Sequence, residues 1–296
     1  MRSCVIFNPT AKGEKARRFK RHLDAFGSRC SLKLTAAVGD ARRLAAVAVA
    51  EGFDTIVAAG GDGTLNEVLN GIGDAPDGFE RARLGVLPLG TVNVFARELG
   101  IPTKVGPAWE ILCRGHETLI DLPSVTYGGA NASERRYFAQ LAGAGLDARA
   151  IELVQWEMKK KLGPLAYIMA GFEAFRGPPA VITAADAGHS EIGALVLIGN
   201  GRLYGGQFQL FPKADPRDGL MDVCVFPRIT WLMLAFCGPG LLLTGKLPAS
   251  IVRTFQAESL TITSASPTPF EVDGELIGHL PAAISVQRSR LRVIVP

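Results

Sequence analysis

The residues with the most chemical content are Ala58-Ala59-Gly60-Gly61-Asp62-Gly63-Thr64-Leu65-Asn66-Glu67-Val68, which place three glycines and one carboxylate between two patterned runs. The run before them, Phe53 to Ala59, reads as a short buried strand. Behind them Leu65, Val68, Leu69 and Ile72 recur at helical spacing. Glycines at such a junction let backbone N–H groups approach an anion, and the helix N-terminus favours negative charge. Asp62 would repel a phosphate unless a divalent cation or a proton transfer stands between them. The pattern therefore points to phosphate plus metal. The plainer reading is a tight strand-to-helix turn whose Asp caps the helix.

Two further acidic turns could carry chemistry. Asp273-Gly274-Glu275 is a strong hairpin signal, and a hairpin would present Glu275 at its end. Asp215-Pro216-Arg217-Asp218-Gly219-Leu220-Met221-Asp222 reads either as an Asp-Gly turn or as a loop of oxygen donors for Mg²⁺ or Ca²⁺. The histidines (His22, His116, His189, His279) show no metal-ligand spacing, and neither a Gly-x-Ser-x-Gly elbow nor a Gly-x-x-x-x-Gly-Lys-Ser/Thr loop occurs. Trp156 to Gly163 mixes Trp, Met and Lys, which suits either a solvated helix end or contact with anionic headgroups.

The elements that must position these residues change character along the chain. Up to about residue 120, strand and helix signals alternate. Strands are expected at Cys4–Phe7, Ser31–Ala36, before Gly60 and at Leu84–Leu87. Helices are expected at Lys12–Phe26, Asp40–Glu51, Thr64–Gly71 and Val92–Leu99. This predicts a mostly parallel sheet flanked by helices, with ligands beyond the carboxyl ends of the strands. Asn8-Pro9, Gly60 to Thr64 and Pro88 to Asn93 all follow strands and could share one crevice. After Asp121, short β-like runs dominate: Arg136–Ala142, Ala180–Ala184, Gly193–Gly199, Gly206–Phe211, Met221–Phe226, Ser259–Thr263 and Ala283–Val286. Helical interruptions are expected from Arg149 to Phe175 and from Ile229 to Leu243. The second half therefore reads as a predominantly antiparallel, sandwich-like domain. The expected division is an α/β domain over 1–122 and a β-rich domain over 123–296, with the last residues able to return to the first.

The 296 residues are 48% hydrophobic and 20% charged, enough apolar material for a substantial core. A net charge of +4 does not argue for nucleic acid. Five scattered cysteines without a Cys-x-x-Cys pair read as reduced thiols in a cytoplasmic protein. The longest apolar segment, Trp231 to Leu243, is interrupted by Gly238-Pro239-Gly240 and is too short to span a bilayer. A peripheral association with membranes remains compatible with this pattern. An exposed β edge could support a homodimer.

Gly60 to Thr64 is joined by Asn8-Pro9, by Pro88-Leu89-Gly90-Thr91-Val92-Asn93-Val94-Phe95-Ala96-Arg97 and by Asp273-Gly274-Glu275. In this order and spacing the chain resembles the diacylglycerol kinase catalytic-domain family, which includes bacterial soluble lipid kinases and sphingosine kinases. The resemblance implies ATP-dependent phosphoryl transfer to a lipid hydroxyl at a membrane surface, with the site between an α/β nucleotide domain and a β-rich lipid domain. It places the ATP phosphates against Gly60, Gly61, Gly63 and Thr64, with nucleotide contacts at Thr35, Asn66, Gly90 and Thr91 and with Asn8 shaping the pocket. It gives Asp62 the catalytic Mg²⁺, through water, and Glu275 the role of general base, with Asp62 as the alternative. Thr91 and Asp121 are implied members of a supporting hydrogen-bond network. A second, structural Mg²⁺ or Ca²⁺ would be held by the Asp218 carboxylate and the carbonyls of Asp215 and Leu220. The chain departs from many relatives at Val94, where they have Asp. Alternative readings are a kinase of a soluble acceptor (a polyol, a sugar or NAD) and a catalytically silent lipid- or nucleotide-binding regulator.

Overall fold

The computed structural model describes residues 2–9, 19, 30–128, 133–153, 179–230 and 251–296. The basic helix expected from Lys12 to Phe26 lies outside them apart from Phe19. The Trp156–Gly163 and Trp231–Leu243 segments and the continuation of the Arg149 helix beyond Leu153 also lie outside.

β1 (Ser3–Phe7) and β3 (Thr55–Gly60) are buried at every position, as continuous apolar strands inside a parallel sheet must be. Parallel pairing joins β2 (Ser31–Leu34) to β1, β1 to β3, and β3 to β4 (Arg83–Pro88). The helices α1 (Asp40–Ala50), α2 (Asp62–Asp74), α3 (Gly78–Arg81), α4 (Val94–Glu98) and α5 (Val105–Arg114) connect or follow these strands. α1 buries Ala41, Ala45, Ala48 and Val49 on one stripe, while α2 buries Leu65, Val68, Leu69 and Ile72. α2 begins two residues earlier than the periodicity suggests, because Asp62 and Gly63 are already helical.

The same sheet continues into the second half of the chain. β5 (Glu117–Tyr127) pairs with β6 (Glu134–Tyr137) and with the long β18 (Ala282–Ile294). The end of β18 returns to the parallel strands, where Val293 lies beside Leu84. Its beginning pairs with β15 (Ser259–Ser264), followed by β8 (Ile182–Ala185) and β9 (Ser190–Gly193). The sheet thus has ten strands and is mixed. Leu122 and Pro123, where the composition changes, lie inside β5, so the hydrogen-bonded sheet runs through that point.

A second, antiparallel sheet has six strands in the order β14 (Arg253–Ala257), β13 (Met221–Phe226), β10 (Leu195–Gly199), β7 (Leu141–Gly145), β16 (Pro269–Val272), β17 (Glu275–His279). Strand alternation divides its residues between two cores. Val196, Ile198, Val223 and Val225 pack in the core between the sheets, while Leu195, Leu197, Cys224 and Phe226 join Phe211 on the opposite face. Burial on both faces explains why β10 reads as an apolar run and why β13 is apolar at every position but Asp222. The remaining described elements are α6 (Leu146–Leu153) and the short pair β11 (Leu203–Tyr204) and β12 (Phe208–Gln209).

Two expected strands are corrected. Arg136–Ala142 is not one strand but parts of β6 and β7 in different sheets. The intervening N–H groups of Ala139, Gln140 and Leu141 leave the ladder to bond the Asp273 carboxylate. Gly206–Phe211 contains only the two strand residues of β12, after a turn in which Gly205 and Gly206 have φ of 57° and 132°. Among the described residues no helix is long and apolar enough to cross a membrane.

Candidate active site

The glycine loop sits at the carboxyl end of β3, with α2 starting immediately behind it. Two loops meet there backbone to backbone. Leu89 and Gly90 donate N–H bonds to the Gly60 carbonyl at 2.8 and 3.2 Å. A Cβ on Gly90 would lie 2.5 Å from Gly61 Cα, a distance that only glycine permits. Asn93, at φ 53°, closes the second loop on itself. Its Oδ1 accepts the Gly90 N–H at 3.0 Å, and its Nδ2 donates to the Gly90 carbonyl at 2.7 Å. Asn8 continues β1, donating its N–H to the Ala59 carbonyl and its side-chain amide to Thr64 Oγ1 at 3.3 Å. Thr35 is buried at the end of β2, with its N–H on the Phe7 carbonyl. Asn8, Thr35, Gly60 to Thr64 and Gly90 therefore gather at one end of the parallel strands. Thr91 lies exposed on the rim.

The Asp62 carboxylate points across to the second loop. It faces the N–H groups of Asn93, Val94 and Phe95 at the start of α4, a helix whose N-cap residue makes no side-chain cap bond. Burial raises the Asp62 pKa, and the Asp273 charge raises it further, against the pull of these N–H groups. At Val94 the chain places no second carboxylate beside Asp62.

Glu275 reaches the same loop from the other half of the chain. A Cβ on Gly63 would stand 2.9 Å from Glu275 Oε1, so the carboxyl group rests on the loop backbone. Arg136 Nη2 donates to Glu275 Oε2 at 2.6 Å. Arg136 is itself held by Asn66, whose Oδ1 accepts from Nε at 3.2 Å and from Nη2 at 3.0 Å. Asn66 Nδ2 then donates to Asp273 Oδ2 at 2.8 Å. Asp273 also collects the N–H groups of residues 139 to 141, at 2.8, 2.9 and 3.1 Å. Burial pushes the Asp273 pKa up, against four donors that favour the carboxylate. This network locks the hairpin carrying Glu275 onto α2.

Residues 2–125 match the diacylglycerol kinase catalytic domain, and residues 140–295 match a C-terminal NAD kinase β-sandwich-like domain. The chain is 32% identical over 308 residues to a diacylglycerol kinase of Staphylococcus saprophyticus, covering 100% of this chain and 95% of that one. It is also 32% identical over 310 residues to a diacylglycerol kinase of Staphylococcus aureus, covering 100% and 92%. The chain belongs to the diacylglycerol kinase family. Its fold is shared with a Bacillus anthracis crystal structure assigned to diacylglycerol kinases (TM-score 0.80, 23% identity, 100% of this chain and 95% of that one).

Three further motif positions make contacts within the fold itself. Asn66, read as a nucleotide contact, is fully buried and turned toward Arg136, Asp273 and the Tyr137 carbonyl. Asp121 does not join Thr91. Its two oxygens accept the N–H groups of Gly219 at 2.6 Å and Ser289 at 2.7 Å, tying the acidic loop to the irregular point of β18. That loop also closes on itself: Asp218 donates its N–H to the Asp215 carbonyl and accepts the Leu220 N–H on Oδ1. The exposed Asp218 carboxylate and the Asp215 and Leu220 carbonyls thus lie on one hydrogen-bonded turn. Among the described residues no group of three or more His, Cys, Asp or Glu side chains is placed to hold a metal.

Sequence reasoning missed Arg136 altogether and gave Asp273 only a turn. Arg136 belongs to no glycine-rich motif and is separated from Glu275 by 139 positions, so no local spacing signals their pairing.

Proposed function

We propose that this lipid kinase transfers the γ-phosphoryl group of ATP to a hydroxyl of a diacylglycerol-like lipid, with Glu275 as proton acceptor. The observation that carries the reading is Glu275 resting on Gly63, which sets a carboxylate beside the anion-binding loop. The phosphates would lie along the N–H groups of Gly60 to Thr64, where charge-assisted hydrogen bonds contribute about 1.5–3 kcal/mol each. The Gly90 loop, stacked on Gly61, fixes the height of that cradle. Asn8 orients Thr64, while Thr35 and Thr91 border the nucleotide side.

Asp62 supplies one carboxylate with free lone pairs, which would suit a Mg²⁺ held chiefly by phosphate oxygens and water. When bound with ATP, the ion spreads the charge of the transferring group. Arg136 keeps Glu275 oriented toward the loop, and Glu275 accepts the proton of the attacking lipid hydroxyl. Asn66 and Asp273 hold the two halves of the chain in register, so that base and phosphate meet in line.

The test is phosphoryl transfer from γ-labelled ATP, offered a total lipid extract and, separately, a pool of soluble metabolites. Label in lipid that falls roughly 10²–10⁴-fold in Glu275→Gln supports the reading. Label confined to aqueous products would show a soluble acceptor, and nucleotide binding without transfer would show a silent regulator.

A further inference from the structure

Behind the Glu275 hairpin lies a second group of acids that phosphoryl transfer does not use. Asp147 opens α6, Glu271 lies on β16 and Tyr204 on β11. Glu271 is 0% exposed. Its Oε2 accepts the Gly274 N–H at 2.8 Å, within the turn that leads to Glu275. The Tyr204 hydroxyl donates to Asp147 Oδ1 at 2.7 Å. The Asp147 and Glu271 carboxyl groups face each other, and both lie over Gly143. A Cβ there would meet Glu271 Oε1 at 2.8 Å and Asp147 Oδ2 at 3.3 Å, so the site is shaped around two carboxyl groups.

A hydrogen bond between two carboxyl groups requires a proton on one of them. Glu271 Oε1 is buried with no other partner, whereas Asp147 already accepts the Tyr204 hydroxyl. The proton therefore belongs on Glu271 Oε1, donated to Asp147. The groups facing the pair are Tyr204 from β11 and Asp273 from the β16–β17 turn, both acids. Burial, then the Asp147 charge, pushes the Glu271 pKa well above its ordinary value, and burial raises that of Asp147. Tyr204 continues the network outward: the preceding Leu203 N–H and Arg202 both bond Glu98 of α4, the helix whose start Asp62 faces.

We propose that Asp147, Glu271 and Tyr204 form a positioning triad that retains one shared proton, and that this proton fixes the Gly274 turn and thereby the place of Glu275. The proposal rests on Glu275 being the proton acceptor. Loss of the proton would put two buried carboxylates against each other and release the Gly274 N–H. Turnover then falls at alkaline pH as a single proton leaves.

Two independent measurements test it. Infrared difference spectra of the wild-type chain and Glu271→Gln at neutral pH should show a protonated carboxyl band that the variant lacks. This readout needs no kinase activity, so its result stands even if the acceptor or the reaction is another one. In turnover, Glu271→Gln keeps both hydrogen bonds without a titrating proton, so it retains kcat and loses the alkaline decline. Glu271→Leu lowers kcat roughly 100-fold with KM for ATP unchanged, as a displaced reacting group does. Tyr204→Phe moves the alkaline decline to a different pH and covers the case in which the Leu variant does not fold. Absence of the carboxyl band, an alkaline decline that persists unchanged in Glu271→Gln, or wild-type kcat in a folded Glu271→Leu would each overturn the proposal.

Discussion

Folding stability offers a separate view of the buried proton, through Glu271→Gln. A carboxyl group whose native pKa is raised is uncharged in the fold and charged in the unfolded chain. Its favourable contribution is fully present below the unfolded value, near 4.5, and is lost as pH rises toward the native value. In that window the folded state binds one more proton than the unfolded state, so stability falls with pH by about 1.4 kcal/mol per unit. Glu271 is completely buried, so solvent does not screen the effect. As pH rises from the unfolded value toward the native one, the wild-type chain should therefore lose stability steadily relative to Glu271→Gln. Urea unfolding of both proteins at several pH values across this range measures the difference, read from midpoints at constant slope. A stability gap that does not change with pH would refute the assignment of a native proton to this site.

Asp62→Asn replaces one oxygen facing the α4 N–H groups by a donor and removes the charge offered to Mg²⁺. Turnover should fall by roughly 10²–10³-fold, with circular dichroism showing the fold retained; full activity would remove Asp62 from the site. Arg136→Met should lower kcat roughly 100-fold through Glu275, while Arg136→Lys recovers only part of it because an ammonium cannot span Asn66 and Glu275 as the planar fork does. Equal rates in the two variants would show that only charge matters. Gly90→Ala forces the second loop off Gly61 at about 1–3 kcal/mol, weakening ATP binding roughly 10- to 100-fold by calorimetry. Unchanged affinity would mean that the phosphates do not rest on this pair of loops.

Much of the nucleotide side was legible locally. The apolar runs of β1, β3 and β4 and the glycines after them mark strand, turn and helix because each signal lies within a few neighbouring residues. The second half was less legible. β5, β9, β11, β14, β16 and β17 were missed, as were α3 and α5, and Arg136–Ala142 was read as one strand. There the deciding bonds are remote: Asp273 withdraws three backbone N–H groups from a ladder more than 130 positions away. Asp62 shows the same limit at short range. Its spacing says that it caps a helix or faces an anion, and only the fold shows that it turns toward the start of α4.

The sequence by itself determined the glycine cradle, the acidic residue inside it, the parallel order of the first strands and the Asp-Gly turn before Glu275. Those features follow from short-range sterics and apolar periodicity, which act on neighbouring residues. The tertiary structure alone decided that Glu275 rests on Gly63, that Arg136 holds it, and that Asn66 is a buried tie to Asp273. It alone joined Asp147, Tyr204 and Glu271 around Gly143. Hydrogen bonds and buried charges act over a few ångströms of space whatever the separation along the chain, so their partners emerge only when the strands are stacked.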